Sequence, residues 1–383
     1  MIYLDTAATT PVRREVLEAM WPYLTNDFGN PSSHHTVGES AANALRESRG
    51  TIARWMGVRS SEVIFTSGGT ESDNLAIKGI ALGAPRGRHL VTTRLEHAAV
   101  LESCDYLRRH HGFEVGFVEV DATGSVTPDA LAAAIRSDST LVSIAHANNE
   151  VGTVQPIAAL ASVSHASGIP FHTDAVQSAG WLDLTSLGVD AISVSGHKLG
   201  APKGIGALFV RGRIALEPLM HGGGQERGAR SGTENVAGAV GMAAAVSLID
   251  LSFARQVSAA RDAFVADVLA RVPSAALTGH PTERLPGTAS FVFPGAHGES
   301  ILLRLEERGV VSSSGSACAA GSDEPSHVLL ALGYPAEIAQ TAVRFSWGSD
   351  VSAEQLASVA AAVADAVAVL RDPLRTATQA IRL

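Results

Sequence analysis

Between about residue 60 and residue 210 the chain alternates short apolar runs of strand length with longer Ala/Leu-rich runs of helix length. The strand candidates are EVIFTS, HLVTTRL, EVGFVEV, TLVSIAHA, IPFHTDA, AISVSG and GALFV. Segments such as PDALAAAIRS and IAALASVSHASG separate several of them. Parallel neighbours need a long crossover, usually a helix, so this alternation predicts an α/β domain with a mostly parallel seven-stranded sheet. The last two candidates are joined by a short Gly/Pro stretch. That link predicts an antiparallel strand at one edge.

After GTENVAGAVGMAAAVSLID a helical region runs to about residue 272, and the pattern then changes. ASFVFPG, the helical ESILLRLEERG, a Ser/Gly-rich stretch, AVRFSWG and a final helix read as a smaller α+β domain. A chain of 383 residues is long enough for two such units. We place the large domain at 13–250 and the small one at 1–12 plus 251–383. No repeat or low-complexity linker divides them, so a substantial shared interface is expected.

The net charge of −9 and the lack of a basic-aromatic stripe argue against nucleic acid or an anionic membrane as partner. Two cysteines, Cys104 and Cys318, fit a reducing compartment rather than a disulfide framework. Met1 leads into IYLDTAATTPV with no signal-peptide pattern. LASVAAAVADAVAVL (356–370) is short, and Asp365 interrupts it, so it reads as an amphipathic helix and not a membrane span. The expected location is the cytoplasm. The adjacent histidines of SSHH do not converge on one ion, and no metal is assigned.

In open parallel sheets, ligands bind beyond the carboxyl ends of the strands. After EVIFTS comes GGTES, where Gly68, Gly69 and Thr70 form either a phosphate cradle at a helix start or an ordinary capped turn. It is not a Walker A loop, since the lysine and the spacing are missing. His97 follows HLVTTRL, and Asn148, Asn149 and Glu150 follow TLVSIAHA. Asp174 ends an otherwise apolar strand, where a carboxylate needs a partner or a purpose. Gln177 follows it, and SVSGHKLG then offers Ser195, His197 and Lys198. Each also reads as turn or surface chemistry when taken alone. Together they place phosphate donors, a carboxylate, an amide, a histidine and an amine around one crevice. That set suits pyridoxal phosphate, which needs an amine anchor, a carboxylate facing its ring nitrogen and donors for its phosphate.

At these residues the chain resembles the cysteine desulfurases of the NifS/IscS type, class-V aminotransferases among the fold-type I pyridoxal-phosphate enzymes. YLDTAATTPV, FGNPSSHH, FTSGGTESDNLAI, EHAAVL, HANNEVGTVQP, HTDAVQSAG, SGHKLGAPKGIGAL, HGGGQERGARSGTEN, SSGSACAAG and VRFSWG carry the likeness across nearly the whole chain. The resemblance implies that Lys198 anchors the cofactor and that Asp174 pairs with its ring nitrogen. It implies that His97 stacks on the ring and moves protons, with Gln177 and Asn149 near the ring hydroxyl. Gly69, Thr70, Ser195 and His197 would hold the phosphate, and Thr233 would reach the phosphate of the other subunit in a homodimer. Arg344, with Asn149, would bind the substrate carboxylate. Cys318 would be the nucleophile that takes sulfur from L-cysteine, leaving L-alanine and a persulfide bound for a sulfur-acceptor or scaffold protein, in iron–sulfur cluster assembly or another sulfur delivery. A selenocysteine lyase or other enzyme of the same fold, and a catalytically silent sulfur-transfer partner, are the alternatives. Turnover on selenocysteine against cysteine, and uptake of the yellow cofactor, separate them.

Overall fold

The computed structural model describes residues 1–314 and 324–371. It opens with a short strand, β1 (Ile2–Tyr3). The seven expected strands follow as β2 (Val63–Thr66), β3 (His89–Thr92), β4 (Glu114–Phe117), β5 (Ser139–Ser143), β6 (Phe171–Asp174), β7 (Ala191–Ser195) and β8 (Gly206–Val210). They form one sheet in the order β2-β8-β7-β6-β5-β3-β4. The neighbours from β7 to β4 pair in parallel, and β8 runs antiparallel to both β7 and β2.

One edge of the sheet is therefore antiparallel, as the sequence suggested, but the reversed strand β8 lies one place in from it. The stretch 196–205 is too short for a crossover, so β8 folds back beside β7. The earlier strand β2 then covers the far side of β8 and becomes the edge.

Period-two alternation divides the sheet's residues between two apolar layers. Phe65, Val91, Val142, Phe171, Ile192, Val194 and Phe209 belong to one layer, which the helices Arg14–Thr25, Thr36–Met56 and Val236–Ser247 help to build. Ile64, Leu90, Leu141, Ala191, Leu208 and Val210 belong to the other, packed on Leu75, Ile77 and Ile80 of helix Gly69–Gly83 and on Val100 and Leu107 of helix Ala98–His111. Burial on both faces fits the largely apolar β2 and β8, while β3, β5, β6 and β7 also bury Ser, Thr or His.

A second core lies around the antiparallel sheet β12-β10-β9, formed by β9 (Ala276–Leu277), β10 (Thr288–Val292) and β12 (Ala342–Ser346). The remaining strand, β11 (Val310–Val311), pairs in parallel with β1. Phe264 stands edge-on to Phe291, Phe345 and Trp347, with ring centroids 6.0, 5.4 and 5.6 Å away. Such pairs add about 0.5–1.5 kcal/mol each beyond the burial of their area. The last helix among the described residues, Ala353–Arg371, has 19 residues and an 18-residue stretch of mean hydropathy 1.5, long and apolar enough by those measures to cross a membrane. The sequence expectation of too short a span is corrected to that extent. In the fold this helix buries Leu356, Val359, Ala360, Val363, Ala366 and Val367 in the second core, which accounts for its apolar face. His35, from the SSHH stretch, caps helix Thr36–Met56 by accepting the Gly38 N–H at 3.2 Å.

Candidate active site

Because β2, β3, β5, β6 and β7 run the same way, the segments that follow them gather at one end of the sheet. At one corner β2 passes through Gly68, at a φ of 155°, into helix Gly69–Gly83. That φ disfavours any residue with a Cβ. A Cβ on Gly69 would come within 2.7 Å of Val176 Cγ2. Beside this bare backbone lies Ser195 at the end of β7, its Oγ buried and without a hydrogen-bond partner. A buried hydroxyl left unpaired costs about 1–3 kcal/mol. The first N–H groups of a helix also lack intrahelical partners and favour an anion. This corner therefore fits a phosphate group, and Thr70 stands exposed at its rim.

Lys198 and His197 lie in the single 3-10 turn Gly196–Lys198 that follows β7. Lys198 Nζ donates to the Ala8 carbonyl at 2.7 Å and also to the Ala7 carbonyl. Gln177 Nε2 donates to the same Ala7 oxygen at 3.0 Å. His197 Nδ1 lies 3.0 Å from Thr9 Oγ1. Burial, helped by the charges of Lys198 and Lys203, pushes the His197 ring down to about 4, so it is neutral at neutral pH. The N-terminal segment thus crosses this end of the sheet and meets three of the expected site residues.

Asp174 ends β6, next to β7. Its Oδ1 accepts the Val176 N–H at 2.8 Å. Burial pushes its carboxyl up, while that N–H, His97 and Lys198 favour the anion. A cation placed against it would tip the balance to the carboxylate, as a protonated ring nitrogen requires. His97 caps helix Ala98–His111, its Nδ1 accepting the Ala99 N–H at 3.1 Å. The neutral ring therefore carries its proton on Nε2.

Two further carboxyls lie close enough to Asp174 to feel its charge, and sequence reasoning assigned neither. Glu96 accepts from Thr93 Oγ1 at 2.7 Å and from the Ala145 N–H at 2.9 Å. Burial pushes it up to about 8, and the charge of Asp174 adds to this. Asp73 is pushed well up by burial and by Asp174. One of its oxygens lies 3.7 Å from Nε2 of the fully buried His172, which bonds Ser143 and Ser193 at 2.9 Å each. The only signal for Glu96 was its place before His97. Asp73 sits inside a helix whose pattern reads as ordinary packing.

Arg344, on β12, is 2% exposed. Its Nη1 donates to the Asn149 carbonyl at 2.9 Å and its Nη2 to Asp5 Oδ1 at 2.7 Å. Its Nε is buried without a hydrogen-bond partner. Asn149 thus reaches Arg344 through its backbone. Its neighbours are structural: Asn148 Oδ1 accepts the Glu150 and Val151 N–H groups, and Glu150 accepts the Ser326 hydroxyl.

Thr233 does not join this cluster closely. It is exposed in the segment 221–235, which Arg230 ties to Glu71 of helix Gly69–Gly83 at 2.8 Å. Cys318 lies outside the described residues. Cys104 is buried in the layer around Leu75 and Val100, and burial pushes its thiol up to about 12, so it serves as packing.

The aminotransferase class-V family model matches residues 2–359. The chain is 47% identical over 361 residues to the cysteine desulfurase IscS of Dictyoglomus turgidum, covering 93% of this chain and 91% of that protein. Among solved structures it is similar to a NifS-like protein, with a TM-score of 0.89 and 36% identity over 96% of this chain and 99% of that one. It is also similar to SspA in complex with cysteine, with a TM-score of 0.81 and 38% identity over 90% of this chain and 98% of that one. The chain belongs to the aminotransferase class-V family, in its group of cysteine desulfurases of the NifS/IscS type.

Proposed function

We propose that this protein is a pyridoxal-phosphate-dependent cysteine desulfurase. L-Cysteine and the Cys318 thiol give L-alanine and a Cys318 persulfide, so one sulfur atom moves and the balance closes without an outside oxidant or reductant. The observation that carries this reading is the gathering at one end of the sheet, on the neighbouring ends of β6 and β7, of the Lys198 amine, the Asp174 carboxyl and the unpartnered Ser195 hydroxyl.

The residues present fit the cofactor. Lys198 would hold it, Asp174 would face its ring nitrogen, and His97 would lie against the ring. Gln177 and Asn149 would flank the ring hydroxyl, and Gly69, Thr70, Ser195 and His197 would take the phosphate. When bound, pyridoxal phosphate supplies an electron sink for the pair left at the substrate Cα. Arg344 binds the substrate carboxylate and fixes the Cα proton toward Lys198 Nζ, which removes it as general base. His97, with its proton on Nε2, donates to the leaving or returning groups. Cys318, as thiolate, attacks the substrate sulfur.

The reading extends to a homodimer in which Thr233 serves the neighbouring site, a cytoplasmic location, and delivery of the persulfide sulfur to an acceptor protein of iron–sulfur cluster assembly. It also divides the chain into domains at 13–250 and at 1–12 plus 251–383, supported by a first core drawn from Val16 to Val246 and a second drawn from Leu4 and from Val257 to Val367.

The test is alanine release from L-cysteine by the cofactor-loaded wild type and by Cys318→Ala. Release that collapses in the variant is expected. A yellow, loaded wild type that releases no alanine would overturn the reading.

A further inference from the structure

Arg344 is a buried cation whose charge is met, among the described residues, by the Asp5 carboxylate at 2.7 Å. Asp5 is itself firmly placed. It forms a β-bridge with Ser346, two residues along β12 from Arg344. The Thr6 N–H bonds the Ser346 carbonyl at 3.1 Å, and the Ser346 N–H bonds the Leu4 carbonyl at 2.8 Å. Two residues beyond Asp5, the Ala7 carbonyl accepts from Lys198 and Gln177. The pair therefore sits one short peptide away from the reacting amine.

The guanidinium has five N–H donors. Asp5 and the Asn149 carbonyl engage Nη2 and Nη1, while the buried Nε–H has no partner. An unpaired buried donor on a charged group is expensive, and a substrate carboxylate is an acceptor that would satisfy it. An arriving carboxylate then shares the guanidinium with Asp5, and two anions on one cation repel each other.

We propose that Asp5 is a positioning residue of the substrate-carboxylate site, one that orients Arg344 and weakens its grip on α-amino acid carboxylates so that product is released. The proposal rests on the desulfurase reading above. It makes the Asp5 charge and the Asp5 shape separable. Asp5→Asn keeps an acceptor for Nη2 and removes the charge, whereas Asp5→Ala removes both.

The experiment uses the cofactor-loaded enzyme. KM and kcat for L-cysteine are measured, together with direct binding of L-alanine by titration calorimetry, in the wild type, Asp5→Asn, Asp5→Ala, Asp5→Glu and Arg344→Lys. Asp5→Asn is expected to lower both KM and the alanine dissociation constant by about tenfold without raising kcat. Asp5→Ala is expected to raise both, because the fork loses its brace, and Asp5→Glu to return them toward the wild type. Wild-type KM and alanine affinity in both Asp5→Asn and Asp5→Ala, with only a lower melting temperature, would overturn the proposal and leave Asp5 a structural brace. Arg344→Lys separates the two readings. If it binds alanine as the wild type does, Arg344 is not the carboxylate partner. If it loses at least about tenfold while Asp5→Asn binds normally, only the role of Asp5 fails.

Discussion

Gly206 starts β8 and lies behind the phosphate corner, with its own φ in the ordinary range. A Cβ added there would lie 2.7 Å from both the Cα and the carbonyl carbon of Gly68, and 2.8 Å from the Val194 carbonyl oxygen. All three are backbone atoms, so no flexible side chain can give way. Ordinary carbon contacts begin near about 3.5 Å, so Gly68 would have to retreat by roughly 0.8 Å. Overpacking of this kind costs about 1–3 kcal/mol. A shift above about 0.5 Å also spoils the aim of donors at a binding site. Gly206→Ala is therefore expected to weaken pyridoxal phosphate binding by at least about tenfold, equivalent to about 1.4 kcal/mol. It is expected to lower the melting temperature of the cofactor-free chain by roughly 1–4 °C, at about 1.2 °C per kcal/mol for a chain of 383 residues. Absorbance titration with the cofactor and a thermal melt read the two effects. Gly50→Ala is the control, because its Cβ would meet only Arg54 Nη1 at 3.5 Å and Ser60 Oγ at 4.0 Å. Removing a glycine from that helix interior should stabilise by about 0.5–1 kcal/mol. Wild-type cofactor affinity and melting in Gly206→Ala would refute the steric reasoning.

Two other expectations follow from buried charges. Glu96 is pushed up to about 8 in the fold, against about 4.3 for an unfolded chain, so between those values the folded chain keeps a proton that the unfolded chain has lost. Stability from this group is complete below about pH 4 and falls as pH rises toward about 8. Glu96→Gln mimics the protonated acid, and should flatten that slope and stabilise the chain by at least about 1 kcal/mol near pH 8 in melts run across the window. Arg49 meets Glu226 through two bonds of 2.6 and 2.7 Å, and Glu226 and Arg227 hold left-handed φ values of 48° and 59°. Arg49→Met strands the Glu226 charge and should cost about 3–5 kcal/mol, with faster proteolysis within 221–235 as a second readout.

The seven strands were legible because most of the sheet is buried on both faces, which leaves runs such as VIFT and GALFV largely apolar. The strand ends were legible because polar residues that interrupt such runs need a reason, as Asp174 and Lys198 did. The place of β8 was not legible. A short link fixes that β8 turns back, but not that β2 then joins its far side. Glu96 and Asp73 were missed because their meaning comes from the charge of Asp174, a tertiary neighbour that no local pattern encodes. The segment 5–10, DTAATT, carries no local pattern that reveals what it bonds. Its bonds to His197 and Ser346 span 187 to 339 residues of sequence.

That segment explains how two cores serve one site. Gln177 and Lys198 follow the ends of β6 and β7 in the large sheet, while Arg344 stands on β12 beside the second core. Residues 5–10 bond both: Thr10 Oγ1 donates to the His197 carbonyl at 2.8 Å, and Ser346 Oγ accepts the Ala7 N–H at 2.8 Å. The strand that leads into them, β1, pairs with β11 over only two residues, too few to fix a register by backbone alone. The register is held by the backbone bonds of Leu4 and Thr6 to Ser346 of β12 together with side chains, Tyr3 donating to the Thr9 carbonyl at 2.9 Å and Arg344 to Asp5. A slip of one residue would turn Asp5 to the opposite face and take the Ala7 carbonyl from Lys198 in the same movement. The charge pair beside the substrate carboxylate and the acceptors of the reacting amine are thus set by one and the same alignment.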